Sequence, residues 1–189
     1  VVMNPSTLAA GGAIHLDAGG TLGVTGGAMQ AGLGLLLRSG GGMRLSGVAL
    51  GASTAPAATP AEFQPLRLES GADMSVTDGT LRAERAELIS GGSLTTAGSA
   101  FTIGTGLLLT APGGIGQAGE APTQVGALDP SRAPLVILDT RRGVAVVRLP
   151  DALTPATADQ PGVAPTSQRW QVAGTLNQPG QLIFGADDG

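Results

Sequence analysis

GGAIHLDAGGTLGVTGG, residues 11–27, decides the fold class. Ile14 and Leu16 stand at positions i and i+2, Leu22 and Val24 do the same, and glycine closes each segment. In a strand, alternate residues share a face, so each apolar pair points one way while His15 and Gly23 point the other. A helix would put i and i+2 on different faces, and each interior glycine would cost about 1 kcal/mol relative to alanine. The stretch therefore reads as short strands with tight turns at glycine, where positive φ costs little.

Outward from this stretch the pairs recur as Met29/Ala31, Leu35/Leu37, Met43/Leu45, Leu66/Leu68, Met74/Val76, Leu81/Ala83, Leu94/Thr96, Phe101/Ile103 and Leu107/Leu109. A longer repeat lays residues 14–31 over residues 66–83: Ile14 on Leu66, Leu16 on Leu68, Asp17 on Glu69, Gly19 on Gly71, Leu22 on Met74, Val24 on Val76 and Met29 on Leu81. With three strands to a coil of about 21 residues, that shift is two coils plus an insertion of about ten. Ala52 to Ala61 (ASTAPAATPA) is the candidate insertion. Residues 1–110 are thus expected to form an all-β, parallel β-solenoid (β-helix) of about four to five coils, with an inserted loop at 52–61. The same strands would also suit an antiparallel meander, because periodicity does not report strand direction. Hairpins favour Asn-Gly or Asp-Gly, and in the repeat region only Asp78-Gly79 offers one.

Residues 111–189 read differently, as a Pro-rich, partly irregular β region with proline recurring from Pro112 to Pro165. Leu135–Leu138 and Val144–Leu149 are strong β segments, and their separation by DTRRG predicts a hairpin over 135–149, with Gly143 in its turn. Residues 151–168 read as a linker or long loop. Arg169–Val172 and Gln181–Phe184 are again strand-like, and Trp170 is a residue large enough to cap an apolar end, or else an ordinary core residue.

The coil register carries an electrostatic expectation. It puts Asp17, Arg38 and Glu69 in one outward column, about 4.8 Å between neighbours, where alternating charge is mildly favourable.

Composition narrows the function. Aromatic residues make up only 2% of the 189 residues while 42% are hydrophobic, so the core must be thin and aliphatic. All ten basic residues are Arg and the net charge is −4, without a basic stripe, so nucleic acid is not an expected partner. Cysteine is absent, which rules out disulfides and thiolate metal sites and suits passage through an oxidising compartment. No stretch reaches the roughly 18 apolar residues that span a bilayer. The chain begins at Val1 with neither signal peptide nor initiator Met, which reads as a fragment or a processed product.

GGAIHLDAGGTLGVTGG and its partner SGGSLTTAGSAFTIG, residues 90–104, resemble the repeats of filamentous-haemagglutinin-type exoproteins of two-partner secretion and related autotransporter passengers. The resemblance covers residues 11–110, and Asn4-Pro5 is similar to the Asn-Pro motifs of that family's secretion domain. It implies a right-handed parallel β-helix, a bacterial origin, secretion or cell-surface display, and a part in adhesion, aggregation or biofilm. This sequence departs from the pattern in having only Asn4 and Asn177, too few for the stacked Asn ladders of many β-helices. The expected role is a structural or adhesive segment that stacks on copies of itself or on neighbouring modules through open solenoid ends. Host or matrix glycans or proteins are the other candidate partners, and a carbohydrate- or matrix-binding module is the alternative reading. In that alternative the loop 52–61 and Trp170 supply the contacts.

Catalytic signals are few, and no cofactor, metal or enzyme activity is expected. Residues 114–119 match G-x-G-x-x-G, but Pro112 and Pro122 bracket them and no helical period follows to hold a pyrophosphate. His15 is the one histidine and alternates with inward Ile14 and Leu16, so it points outward with no nucleophile elbow to serve. Asp17 and Glu69 would stand about 9–10 Å apart, near the inverting-hydrolase separation, yet Arg38 between them favours two ionised carboxylates over a general acid.

Overall fold

Glycine-bounded apolar pairs become short strands, and the strands of successive coils lie side by side. In the computed structural model, residues 1–3, 7–52, 65–116, 120–121, 123–128, 135–139, 145–148, 170–173 and 182–185 are described, the strands after Asp139 by backbone pairing alone. The architecture is an all-β solenoid of parallel strands making about five turns. Three ladders run along it. The first contains β1 (Val2–Met3), β4 (Leu22–Thr25), β7 (Met43–Ser46), β10 (Met74–Thr77) and β12 (Leu94–Thr95), and continues as a bridge from Leu94 to Ile115. The second contains β2 (Thr7–Ala10), β5 (Ala28–Ala31), β8 (Ala49–Gly51), the first parts of β11 (Thr80–Ser90) and β13 (Ala100–Thr110), then β14 (Gln124–Ala127), β16 (Ala145–Arg148) and β18 (Leu182–Gly185). The third contains β3 (Ile14–Ala18), β6 (Leu35–Ser39), β9 (Leu66–Ser70), the later parts of β11 and β13, then β15 (Leu135–Asp139) and β17 (Trp170–Ala173).

Register turns the sequence repeat into columns. Leu16, Leu37, Leu68, Leu88, Leu109 and Leu138 stack in the third ladder. Leu22, Met43, Met74, Leu94 and Ile115 stack in the first, and Met29, Leu50, Leu81, Phe101 and Val125 in the second. These side chains converge on one aliphatic core in which nearly all are sealed from solvent. Each buried leucine contributes roughly 1.5–3 kcal/mol, so the columns, not the turns, hold the coil. Leu66 lies two coils above Ile14 through Leu35, as the internal repeat requires. The step from Leu35 to Leu66 is the longer one, and its extra residues fall between β8 and β9. Ala52 itself is buried and donates its N–H to the Arg82 carbonyl at 3.0 Å, while residues 53–61 of the expected insertion lie outside the described residues.

Where an asparagine ladder is lacking, serine takes its place. Ser39, Ser70 and Ser90 stack at the end of the third-ladder strands, all buried. The Ser70 Oγ lies 2.9 Å from the Gly41 and Ala72 carbonyl oxygens and 3.1 Å from that of Asp73, donating to one of them at a time. Ser90 repeats the arrangement with the Ala72 and Ser93 carbonyls, both at 2.9 Å. A buried hydroxyl is thereby satisfied, and each corner is tied to the one below it.

Two expectations for residues 111–189 are corrected. The ladders do not stop at Thr110, because every described strand beyond it pairs in parallel with a strand of the preceding coil. The hairpin over 135–149 does not form. β15 pairs with β13 and β17 in the third ladder, whereas β16 pairs with β14 and β18 in the second. Proximity in sequence favours a hairpin only when no better edge is at hand, and here Val136 on Leu107 and Leu138 on Leu109 extend existing columns. Residues 151–168 lie outside the described residues.

Candidate functional site

Outward side chains differ in degree among the ladders. The second ladder presents Ala9, Ala28, Ala49, Ala100 and Thr102 with exposed Gln30, Arg82 and Gln124 among them, and the first presents Gly23, Thr25, Ser46, Ser75 and Thr95 around exposed Arg44. The third presents long side chains in two columns. One runs His15, Leu36, Arg67, Glu87, Leu108, Ile137, and the other Asp17, Arg38, Glu69, Ile89, Thr110, Asp139.

The structure places Asp17 beside Arg38 and Arg38 beside Glu69. Arg38 Nε lies 3.3 Å from Glu69 Oε2, but Asp17 makes no ion pair among the described residues. The working chain of charges goes another way: Glu69 also pairs with Arg67, Arg67 Nη1 lies 3.0 Å from Glu87 Oε2, and Arg85 Nη2 lies 2.9 Å from Glu87 Oε1. Arg67, Arg85 and Glu87 were absent from the expected column. Their signal was present, since Arg67 and Glu69 alternate with inward Leu66 and Leu68 in LRLES, and Glu87 alternates with Ala86 and Leu88.

Along the corner between the second and third ladders the surface is dished. Gly34, Leu36, Pro65 and Arg67 line a shallow depression of about 280 Å³, and Arg85, Gly106, Leu108 and Ile137 line a second of about 270 Å³. Glu84 lies at the same corner, where a register shift bends β11 against β13. It is buried to 8% exposure, its carboxylate fills the space that a Cβ on Gly104 would need, and it has no ion pair or side-chain hydrogen bond among the described residues.

His15 is exposed on the outer face, near no other His, Asp or Glu grouping that could hold a metal ion; among the described residues there is no such group of three. Ile115, inside the G-x-G-x-x-G match, is buried and bridges to Leu94, and Gly114 and Gly116 have positive φ, as turn glycines do. Trp170 lies in β17 with its backbone paired to Val136, and its side chain is outside the described residues. No described helix is long and apolar enough to cross a membrane.

The end of the stack is the other candidate surface. Among the described residues β1, β2 and β3 each pair on one side only, with β4, β5 and β6. Leu8, which heads the column of Met29, Leu50 and Leu81, is 36% exposed, whereas Met29 one coil further on is fully buried. No protein-family model, no curated protein and no solved structure matches this chain.

Proposed function

We propose that this chain is a structural and adhesive segment of a secreted bacterial cell-surface protein, a rigid β-solenoid that extends by stacking coil on coil. The observation that carries the reading is the unbroken run of parallel ladders, in which β1, β2 and β3 pair on one side only among the described residues and Leu8 stands exposed at the head of an otherwise sealed column. Unpaired edges over exposed aliphatic surface are a template for further parallel pairing. The Gly/aliphatic resemblance of residues 11–110 to filamentous-haemagglutinin-type exoproteins supports secretion and display. The third ladder, with its two columns of long side chains and its dished corner, is the contact surface toward host or matrix, while the other two ladders carry only isolated long side chains, Gln30, Arg44, Arg82 and Gln124, among alanine, glycine and small hydroxyls.

Negative-stain microscopy and sedimentation velocity of the purified chain across a hundredfold concentration range test the stacking. Rods lengthening with concentration are expected. A monodisperse monomer throughout would sink the reading.

A further inference from the structure

Charges on the third ladder do not stand level with one another. The glutamates lie low, with the Glu69 side chain 23% and that of Glu87 11% exposed. Arg38, Arg67 and Arg85 stand above them at 59%, 41% and 47%. On a chain of net charge −4, this strip therefore presents three arginines over two recessed carboxylates. The other outward carboxylates of the ladder, Asp17 and Asp139, lie at the two ends of the neighbouring column. Glu87 holds two guanidinium groups at once, accepting from Arg67 Nη1 at 3.0 Å and lying 2.9 Å from Arg85 Nη2. An arginine fixed in this way has already given up rotamer freedom, and its N–H groups outnumber the contacts that Arg67 makes with Glu69 and Glu87.

Apolar floor lies on both sides of this strip. Leu36, Arg67, Glu87 and Leu108 follow one another in a single outward column, and half-buried Leu36 and Leu108 line the first and the second depression. Three coil steps separate the two leucines, about 14 Å. An extended peptide rises about 3.3 Å per residue, so its side chains i and i+4 stand about 13 Å apart on one face, with i+2 on that face between them. Pits floored by leucine and isoleucine are filled best by aliphatic side chains, which a polyanionic glycan does not carry. A folded partner is too large for the face: strands of five residues over six coils project to about 16 by 24 Å, or about 400 Å², half of what each side of a standard interface buries.

We infer that the third ladder docks an acidic peptide in extended conformation, laid along the solenoid axis, with aliphatic side chains seated at Leu36 and Leu108 and a carboxylate between them on Arg67 and Arg85. This inference rests on the reading of the third ladder as the contact surface and adds the chemistry of what it takes. Guanidinium groups already ordered by Glu87 lose little further freedom on meeting the carboxylate, and the apolar seats on either side set its register.

The test is fluorescence anisotropy of the full chain with a fluorescein-labelled peptide, Gly-Leu-Ser-Glu-Ser-Leu-Gly. The same peptide with Lys in place of Glu should bind at least about tenfold more weakly, and one shortened by a Ser, so that its leucines fall at i and i+3, at least about fivefold. In the protein, Arg85→Gln and Leu108→Ala should each weaken the parent peptide at least about fivefold, with circular dichroism confirming the fold. Arg44→Gln, an exposed arginine on the first ladder, should change nothing. Absent binding of the parent peptide, or equal binding of the Glu and Lys peptides, would overturn the inference. Displacement of the probe by a heparin oligosaccharide at lower concentration than by unlabelled peptide would also overturn it, while leaving the third ladder as the contact surface. Binding lost in Arg44→Gln and kept in Arg85→Gln would overturn both.

Discussion

Replacing Gly71 by alanine tests whether coil contact, and not turn conformation, fixes the glycines of the corner. Gly71 has no positive φ, so alanine is conformationally acceptable there. Its Cβ, however, would fall well under 3.0 Å from the Gly40 carbonyl oxygen, a backbone atom with no freedom to swing away. Relief requires the two coils to part locally by more than about half an ångström, which stretches the 2.9 Å bond from Gly71 N–H to the Ser39 carbonyl beyond the usual range of about 3.2 Å. The adjoining bond from Ala72 N–H to the Gly41 carbonyl, already 3.3 Å, goes with it, and the Ser70 hydroxyl is pulled from its carbonyls. Two lost bonds at about 1 kcal/mol each, one left partly unsatisfied in a buried corner, give a loss of about 2–4 kcal/mol. Gly19→Ala, in the same column but with nothing within 4 Å of an added Cβ, should be neutral or stabilising by up to about 1 kcal/mol. Urea unfolding followed by circular dichroism, at concentrations where the chain is dilute, reads both. Equal midpoint shifts for Gly71→Ala and Gly19→Ala would refute the reasoning, because the two positions differ only in what lies beneath them.

Three further outcomes are expected. Leu68→Ala, inside the leucine column and fully buried, should cost about 3–5 kcal/mol in the same urea assay, whereas outward Leu108→Ala should cost under about 1 kcal/mol; similar losses would mean the inward and outward faces are misassigned. A double-mutant cycle on Arg67 and Glu87 should give a coupling of about 0.5–1 kcal/mol that shrinks in 1 M salt, since the Arg67 side chain is 41% exposed; a salt-independent coupling would contradict a surface ladder. Glu84→Gln should raise the urea midpoint at pH 7 by the equivalent of about 1 kcal/mol or more, because it removes a buried charge that no described group compensates; a lowered midpoint would show that the carboxylate has a partner.

What could be read from the sequence was whatever repeats in register. Ile14 over Leu66 and Leu22 over Met74 follow from alternation and period alone, since a solenoid makes sequence offset and spatial stacking the same thing. The alignment of Asp17, Arg38 and Glu69 followed from that register, but the ion pairs did not, because arginine length lets Arg67 reach both Glu69 and Glu87 across and along the ladder. The pairs Val48/Leu50 and Ala86/Leu88 escaped notice. In β11 the chain passes from the second ladder to the third with no glycine to mark the corner, and Glu84 breaks the alternation at the bend. The serine ladder was written as SGG, SGA and SGG at the ends of β6, β9 and β11, and it stayed unread because a stacked hydroxyl has no composition signature comparable to asparagine.

The corner between the second and third ladders explains why the later part of the chain read as a separate region. Crossing it takes three residues at Gly11–Ala13 and Gly32–Gly34, no turn at all within β11 and β13, and longer connections between β8 and β9, β14 and β15, and β16 and β17. Register is held by the ladders on either side, so a connection need only return the chain to the next strand. Each doubling of its length costs only about 0.6 kcal/mol in closure entropy. Proline and alanine collect there at small cost to the columns, and Leu138 stacks on Leu109 as Leu37 stacks on Leu16. Variation in length is greatest at this edge, which borders the dished surface and the Arg67–Glu87–Arg85 ladder, and it recurs between the first and second ladders, where the chain from Ile115 to Gln124 is longer than that from Thr25 to Ala28. A solenoid built this way keeps its core columns in register while its edges are left free to change what they touch.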